Sequence, residues 1–350
     1  LNLRELCWSY SNNTMLLPVK PNSLAAVDLE QFAQRVRTGE RRALAKALSL
    51  LESTRPEDAS IQHRLLSLLY RHSGNAWRIG ITGPPGAGKS TFIEAFGSAI
   101  VSRGRRVAVL SIDPAGAYSG GSILGDKLRM TTLATSTNAF IRPSSNRGSS
   151  TALSVRIREC IVACEAAGYD TVIVETVGSG QSDTAIADVT DMVILATLPN
   201  AGDEVQGIKR GVIELADLVV VTKADIDPAA TQRATSQLRS ALMLIAPRHP
   251  DWHTAVLAVS SISGEGIEHV WSMCEQYFSP QRMPTLEQQR RHQRTLWFER
   301  SLLEQLYATT VASASAPTRL EELRNAVERG EVPPPLAAAM LLTHSTSSAV

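Results

Sequence analysis

Two regimes of apolar spacing divide the chain. Between Val27 and Glu52 apolar residues recur at helical spacing, with a break near Thr38-Gly39, and Ile61 to Tyr70 repeats the pattern after Thr54-Arg55-Pro56. Residues three and four apart share one helix face, so this region predicts two or three amphipathic helices. From Arg78 the pattern changes to short β-branched runs: Ile79 to Thr82, Val107 to Ile112, Thr171 to Glu175, Met192 to Thr197, Leu218 to Thr222 and Ala255 to Ser260. Helical stretches such as Thr91 to Ser102 and Leu153 to Ala167 lie between most of them. Strands that are apolar on both sides need cover on both sides. The expected core is therefore α/β, a mostly parallel sheet with helices on both faces. Asn138 to Ser150 is polar and turn-rich and predicts a loop. Glu287 to Tyr307, Leu320 to Arg329 and, beyond Pro333-Pro334-Pro335, Leu336 to Leu342 predict a closing helical region. The expected organisation is an N-terminal helical extension over 1–74, a core over 75–280 and a C-terminal helical region over 281–350.

Composition narrows the partners. The chain has 350 residues, 43% hydrophobic and 20% charged, with a net charge of +1. That balance carries no electrostatic footprint for nucleic acid or an anionic membrane surface. No apolar run is long enough to span a bilayer. Leu1 to Pro21 has neither the basic-then-apolar order of a secretion signal nor the arginines of an organelle transit peptide, so the cytoplasm is the expected location. Of the cysteines Cys7, Cys160, Cys164 and Cys274, only Cys160 and Cys164 share a helix face. With no CxxC and no nearby His, all four read as small apolar side chains in a reducing compartment.

The chemistry begins at the first apolar run. Gly83-Pro84-Pro85-Gly86-Ala87-Gly88-Lys89-Ser90 fits G-x-x-x-x-G-K-[ST], preceded by a strand pattern and followed, from Thr91, by a helix pattern. That context is what a phosphate-binding loop requires. The glycines let several N–H groups converge on one anion, and the helix N-terminus adds its positive end. Lys89 can reach the β- and γ-phosphates of a nucleotide, and the Ser90 hydroxyl can ligate Mg²⁺.

Further candidates stand where the other apolar runs end. Asp113 can ligate Mg²⁺ directly or through water, although Asp113-Pro114 also suits a simple turn. Ser119 to Met130 joins a glycine pair to a charged trio, and Asp126 there can orient an attacking water; the segment reads equally as a surface loop. Glu175 can hold Mg²⁺ or its waters, and the Gly178 N–H can bond a γ-phosphate and release after hydrolysis. Leu198 to Gly211 mixes glycines with both charge signs; Lys209 can move toward the phosphates, or the stretch is a solvated loop-to-helix transition. Thr222-Lys223-Ala224-Asp225 fits the [NT]KxD guanine reader. Its Asp accepts from guanine N1–H and N2–H₂, and adenine would leave that carboxylate unpaired at a cost of about 1–3 kcal/mol. Lys223 would lie along the base plane. Ser260-Ser261-Ile262 follows the last run, where a main-chain N–H commonly meets guanine O6.

Laid out together, Gly83 to Thr91, Gly120 to Met130, Tyr169 to Gln181, Leu198 to Gly211, Thr222 to Asp225 and Ser260 to Ile267 resemble the MeaB/ArgK family of P-loop GTPases, whose human member is the methylmalonic aciduria type A protein. The strings GGSILGDKxRM and VETVGxGQS carry the resemblance most specifically, and fainter likeness reaches Arg42 to Ser53 and Arg290 to Leu306. The resemblance implies a SIMIBI-like P-loop NTPase fold and a GTPase, using GTP, GDP and Mg²⁺, that chaperones an adenosylcobalamin-dependent acyl-CoA mutase. Such proteins gate cofactor delivery, protect the mutase from inactivation and help release damaged cofactor. A homodimer joined through the C-terminal helices is implied as well. By motif position, Ser90, Asp113 and Glu175 would form the Mg²⁺ set, Asp126 would position water or metal, and Lys209 would lie in the switch that the mutase engages. The chain departs from the family at Ala115-Gly116-Ala117-Tyr118, where Ser-Ser-Pro-Phe is usual, and at Ser149-Ser150-Thr151-Ala152, where a Leu-Gly-Gly type sequence is usual. Thr222 replaces Asn, which is expected to remove an amide that braces the phosphate loop. The client is open among methylmalonyl-, isobutyryl-, hydroxyisobutyryl- and ethylmalonyl-CoA mutases.

Two other readings compete. A kinase or ATPase serving amino-acid uptake would prefer ATP, and Thr222 to Asp225 speaks against it. Nickel insertion usually brings His-rich tracts, whereas the 7 histidines are scattered.

Overall fold

The computed structural model describes residues 29–113, 130–145, 156–176, 184–199, 210–311 and 316–347. Three helices open it: α1 (Leu29–Arg37), α2 (Arg41–Leu51) and α3 (Ala59–Tyr70). Gly39, with φ +79°, turns the chain between the first two, in a region of backbone space that a side chain would strain. Phe32, Val36, Leu44, Leu48, Leu51, Leu65 and Leu69 form one cluster with Ala108, Leu110, Val172 and Val174 of the sheet. The N-terminal helices thus share the core of the sheet. Burial of each large apolar side chain contributes about 1.5–3 kcal/mol.

The sheet comprises β1 (Trp77–Thr82), β2 (Val107–Asp113), β3 (Ala139–Ser145), β4 (Thr171–Glu175), β5 (Met192–Thr197), β6 (Leu218–Val221) and β7 (Ala255–Ala258). Helices α4 (Lys89–Ser102), α5 (Thr131–Thr135), α6 (Ile157–Ala166), α7 (Arg210–Ile213), α8 (Pro228–Leu242) and α9 (Ile267–Tyr277) are distributed between the strands and after the last. The strand order is β3-β2-β4-β1-β5-β6-β7, and every pairing is parallel. Side chains alternate between faces along each strand. Ala108 and Leu110 face α1–α3 and α6, whereas Val107 and Val109 join Phe92, Phe96 and Ile100 of α4 and Val270 and Cys274 of α9. The expectation of an α/β sheet covered on both faces is met.

One element differs from the sequence expectation. The stretch read as a loop over Asn138 to Ser150 contains β3, which pairs with β2 from Val107↔Ala139 to Asp113↔Ser145. Among its described side chains the buried apolar ones are Ala139, Phe140 and Ile141. An edge strand has one neighbour and can carry Pro143 and serines without losing a ladder on its open side. Periodicity therefore missed it. Cys160, Cys164 and Cys274 are all buried, and burial pushes their thiols up, in keeping with a packing role.

From β1 the chain passes over the position of β4 to reach β2, and from β4 it crosses β1 to reach β5. This reversal opens a crevice beyond the carboxyl ends of β1, β4 and β5, where ligands of such sheets bind. At the other end of the strands lies the first half of α10 (Met283–Val311), which is followed by α11 (Ala316–Glu328) and α12 (Pro334–Ser347). Arg290 of α10 grips the fully buried Asp191 with Nε at 2.8 Å and Nη2 at 2.6 Å, and Nη2 also donates to the Ala76 carbonyl at 2.7 Å. Gln293 donates to the carbonyls of Ala187 and Thr190 at 2.9 and 2.8 Å.

Candidate functional site

Between β1 and α4 the chain makes a tight loop on three glycines with positive φ: Gly83 (+143°), Gly86 (+80°) and Gly88 (+75°). Gly83 is obligatory on space as well, since a Cβ there would lie 2.0 Å from the Ala196 carbonyl oxygen of β5. Gly88 occupies the N-cap of α4 in a left-handed conformation, so the first N–H groups of the helix face the loop. Pro84, Pro85 and Gly86 form the accessible crest, Ala87 is buried beneath it, and Thr91 lies exposed on the first turn. Lys89 is 7% exposed, and its ammonium donates to the carbonyls of Gly83 at 2.7 Å and Pro84 at 3.0 Å. The cation is therefore fixed over the loop, where a phosphate would meet it.

Beside the loop stands Glu175, at the end of β4 and 7% exposed. The Ser90 hydroxyl donates to its Oε1 at 2.9 Å, and the Ser111 hydroxyl donates to its Oε2 at 2.9 Å. Strand register explains the arrangement: Ser111 of β2 and Ile81 of β1 both lie opposite Glu175. One residue on, the Thr176 hydroxyl donates to that of Thr82 at 2.9 Å, both fully buried, which ties the ends of β4 and β1 together. Carboxylate and hydroxyl oxygens are the donors a hard cation such as Mg²⁺ takes, so Ser90 and Glu175 fit that ion. Asp113 closes β2, and its side chain lies outside the described residues. Asp126, Gly178 and Lys209 also fall outside them.

The third part of the rim follows β6 and β7. Thr222 is buried, and its hydroxyl donates to the Ala87 carbonyl at 2.6 Å and to the Thr197 carbonyl at 3.0 Å. The expected loss of a brace where Thr replaces Asn is thereby corrected: the hydroxyl itself reaches the phosphate loop. Lys223 is the single non-glycine residue with positive φ (+56°) among the described residues, and its ammonium donates to the Gly86 carbonyl at 3.1 Å. Holding a side chain in that region costs on the order of 1–3 kcal/mol and is a feature of ligand-gripping turns. Asp225 is exposed at the rim, whereas Asp227 accepts from the Ala230 N–H at 2.8 Å and caps α8. The Ala224 N–H donates to the Val259 carbonyl at 3.1 Å, bringing the Thr222–Asp225 turn against the Ser260 turn. Within that turn Ser260 is buried, its N–H donates to the Glu265 carbonyl at 3.0 Å and its hydroxyl accepts from the Ser263 N–H at 3.1 Å. Ser260 is thus engaged in the turn itself, and Ser261 and Ile262 form its accessible edge.

Sequence reasoning assigned no role to Ser111, Thr82 or Thr176. Each is a small hydroxyl within an apolar run or just past its end, and only the pairing of β2, β4 and β1 reveals its partner.

A glycine loop of the phosphate-binding form and the Thr222–Asp225 turn, bonded to each other through Thr222 and Lys223, set this chain among the P-loop GTPases. Comparison with known proteins narrows the class to one family. Residues 44–315 match the family model described as Methylmalonyl Co-A mutase-associated GTPase MeaB, and the chain belongs to that family. It is 39% identical over 344 residues to the Methylmalonic aciduria type A homolog, mitochondrial, of Mus musculus, covering 93% of this chain and 82% of the relative. It is 44% identical over 244 residues to GTPase ArgK of Escherichia coli, covering 69% of this chain and 74% of the relative. A solved structure described as LAO/AO transport system kinase superposes with a TM-score of 0.69 at 32% identity, covering 93% of this chain and all of that one. The protein binds guanine nucleotide and hydrolyses GTP. Among the described residues no helix is long and apolar enough to cross a membrane.

Proposed function

We propose that the protein is a slow, partner-stimulated GTP switch in the cytoplasm that chaperones an adenosylcobalamin-dependent acyl-CoA mutase, methylmalonyl-CoA mutase or a relative. It gates cofactor loading and protects or reactivates the mutase. The family description and the mouse relative's name support the mutase association. The observation that carries the switch is the Ser90–Glu175–Ser111 cluster. It joins the phosphate loop to the residue from which the chain runs toward Gly178, so the state of the terminal phosphate is felt where that segment begins.

In this reading water attacks the γ-phosphate in line, and Lys89 with the N-terminus of α4 offsets the charge that spreads over the phosphate oxygens. Mg²⁺, when bound, neutralises phosphate charge; Ser90, Asp113 and Glu175 would hold it. Asp126 orients the water, the Gly178 N–H senses the γ-phosphate, and Lys209 belongs to the loop that meets the mutase. Asp225 reads guanine N1 and N2, Lys223 lies along the base, and the accessible edge of the Ser260–Ile262 turn meets O6. The region 281–350 serves as the dimer interface beside an extension over 1–74 and a core over 75–280. Its support is α10, whose outer half leaves Phe298, Leu302, Leu303, Leu306 and Tyr307 exposed.

The test is a pull-down from cell lysate with the protein bound to a non-hydrolysable GTP analogue. A mutase subunit should be recovered, and much less of it with GDP. Recovery of no mutase in either state would overturn the chaperone role.

A further inference from the structure

At the amino ends of the strands, opposite the phosphate loop, a cavity of about 150 Å³ lies between α3, α6, α10 and the 186–189 turn. Four arginines line it, Arg78, Arg158, Arg290 and Arg294, with Tyr70 and Trp297 as an aromatic wall. Three of the guanidiniums have carboxylate partners. Arg78 pairs with Glu165 at 2.6 Å, Arg290 with Asp191 at 2.6 Å, and Arg294 with Glu287 at 2.7 Å on the surface. Arg158 differs. It is 9% exposed, it donates to the main-chain carbonyls of Gln293 at 3.0 Å and Asp188 at 2.7 Å, and among the described residues no carboxylate forms an ion pair with it. The Asp188 carboxylate pairs instead with Arg300 at 3.5 Å. Burial, with Arg300 nearby, lowers the Arg158 pKa to about 10.

Asp188, which also lines the cavity, and Glu159 act on Arg158 only at a distance, so a buried cation whose hydrogen bonds go to carbonyls keeps part of its desolvation cost, and a counter-anion would offset it. We propose that this cavity is a binding site for a small oxyanion, a phosphate or a carboxylate, recognised by the Arg158 guanidinium. The flat guanidinium fork matches two oxygens of either anion, and the volume admits such an ion together with water. An occupant would tie α3, α6 and α10 to the turn at Asp188.

The phosphate loop also attracts oxyanions, so the test is run with GDP and Mg²⁺ saturating it. Thermal unfolding is followed while inorganic phosphate, acetate or chloride is titrated at constant ionic strength. Phosphate or acetate should raise the midpoint saturably, as a ligand of the folded state does, and chloride should not. Arg158→Gln should weaken that response about tenfold, as loss of a charged hydrogen-bond donor does. Arg294→Ala, at the cavity mouth, should weaken it to a lesser degree with GTP turnover unchanged, and it decides the matter if Arg158→Gln fails to fold. A response to phosphate alone, or to acetate alone, names the anion. No saturable response to either oxyanion, or one that both variants leave unchanged, would overturn the site in favour of water alone. GDP affinity from the same samples reports on the nucleotide rim separately.

Discussion

Two buried carboxylates mark the two ends of the sheet, and the hydrogen-bond partners described for them differ in kind. At the carboxyl rim the partners described for Glu175 are the hydroxyls of Ser90 and Ser111. At the amino end Asp191 accepts two bonds from Arg290 and one from the Arg78 N–H at 3.0 Å. A hydroxyl aims a carboxylate; a guanidinium neutralises it. The rim arrangement suits an acid that meets a cation arriving with the nucleotide. The amino-end arrangement closes α10 onto the fold. Removing a partner should therefore cost activity at one end and stability at the other.

The largest break expected is at the rim. Lys89→Ala should lower GTP turnover by about a thousandfold or more while the circular dichroism spectrum and melting temperature stay close to wild type. Turnover near wild type would remove the cation from the phosphate site. At the other end, Asp191→Ala strands Arg290 in the interior and should cost about 3–5 kcal/mol of stability, read by urea unfolding. A cost as small as that of a surface pair would mean the end is not closed by charge. Ser111→Ala, which removes one hydrogen bond from the Glu175 carboxylate, should raise the Mg²⁺ concentration for half-maximal turnover about fivefold, the effect of one hydrogen bond near 1 kcal/mol. An unchanged Mg²⁺ requirement would make Ser111 a packing residue.

The smallest effect concerns a third buried acid. Burial raises the Asp217 pKa from 3.8 to about 6, against Arg248 at 3.1 Å, and burial lowers His249, 3.5 Å from Asp217, from 6.5 to about 4. The folded state holds the Asp217 proton more tightly than the unfolded chain does, so this group loses stability as pH rises from about 4 to about 6. The folded state holds the His249 proton less tightly, so that group loses stability as pH falls from about 6.5 to about 4. The two slopes oppose each other in the wild type. In His249→Gln stability should fall as pH rises through that window, read by urea midpoints at several pH values; a rise would reverse the assignment.

What could be read in advance follows from how local each feature is. Gly83 to Ser90 is contiguous, with its strand and helix on either side, and was legible complete. The covering helices declared themselves through apolar spacing. Strand β3 did not, because it has one neighbour and its buried apolar stretch among the described side chains is short, Ala139 to Ile141. Ser111 looks like a polar interruption until β2 is laid beside β4. Arg290 and Asp191 are 99 positions apart, and nothing local joins them. Thr222 shows that a motif departure need not be a loss, since a shorter side chain reached the same loop through a different atom.

In the proposed reading a guanine nucleotide sits on this rim, with its base at Asp225. Its most direct test is kcat/KM for GTP and ATP, measured side by side for the wild type and Asp225→Asn. The wild type should prefer GTP by at least about tenfold, and the variant should lose most of that preference through GTP alone, as loss of a charged acceptor for guanine N1 and N2 requires. Equal use of ATP by the wild type, or a preference that survives in Asp225→Asn, would contradict it.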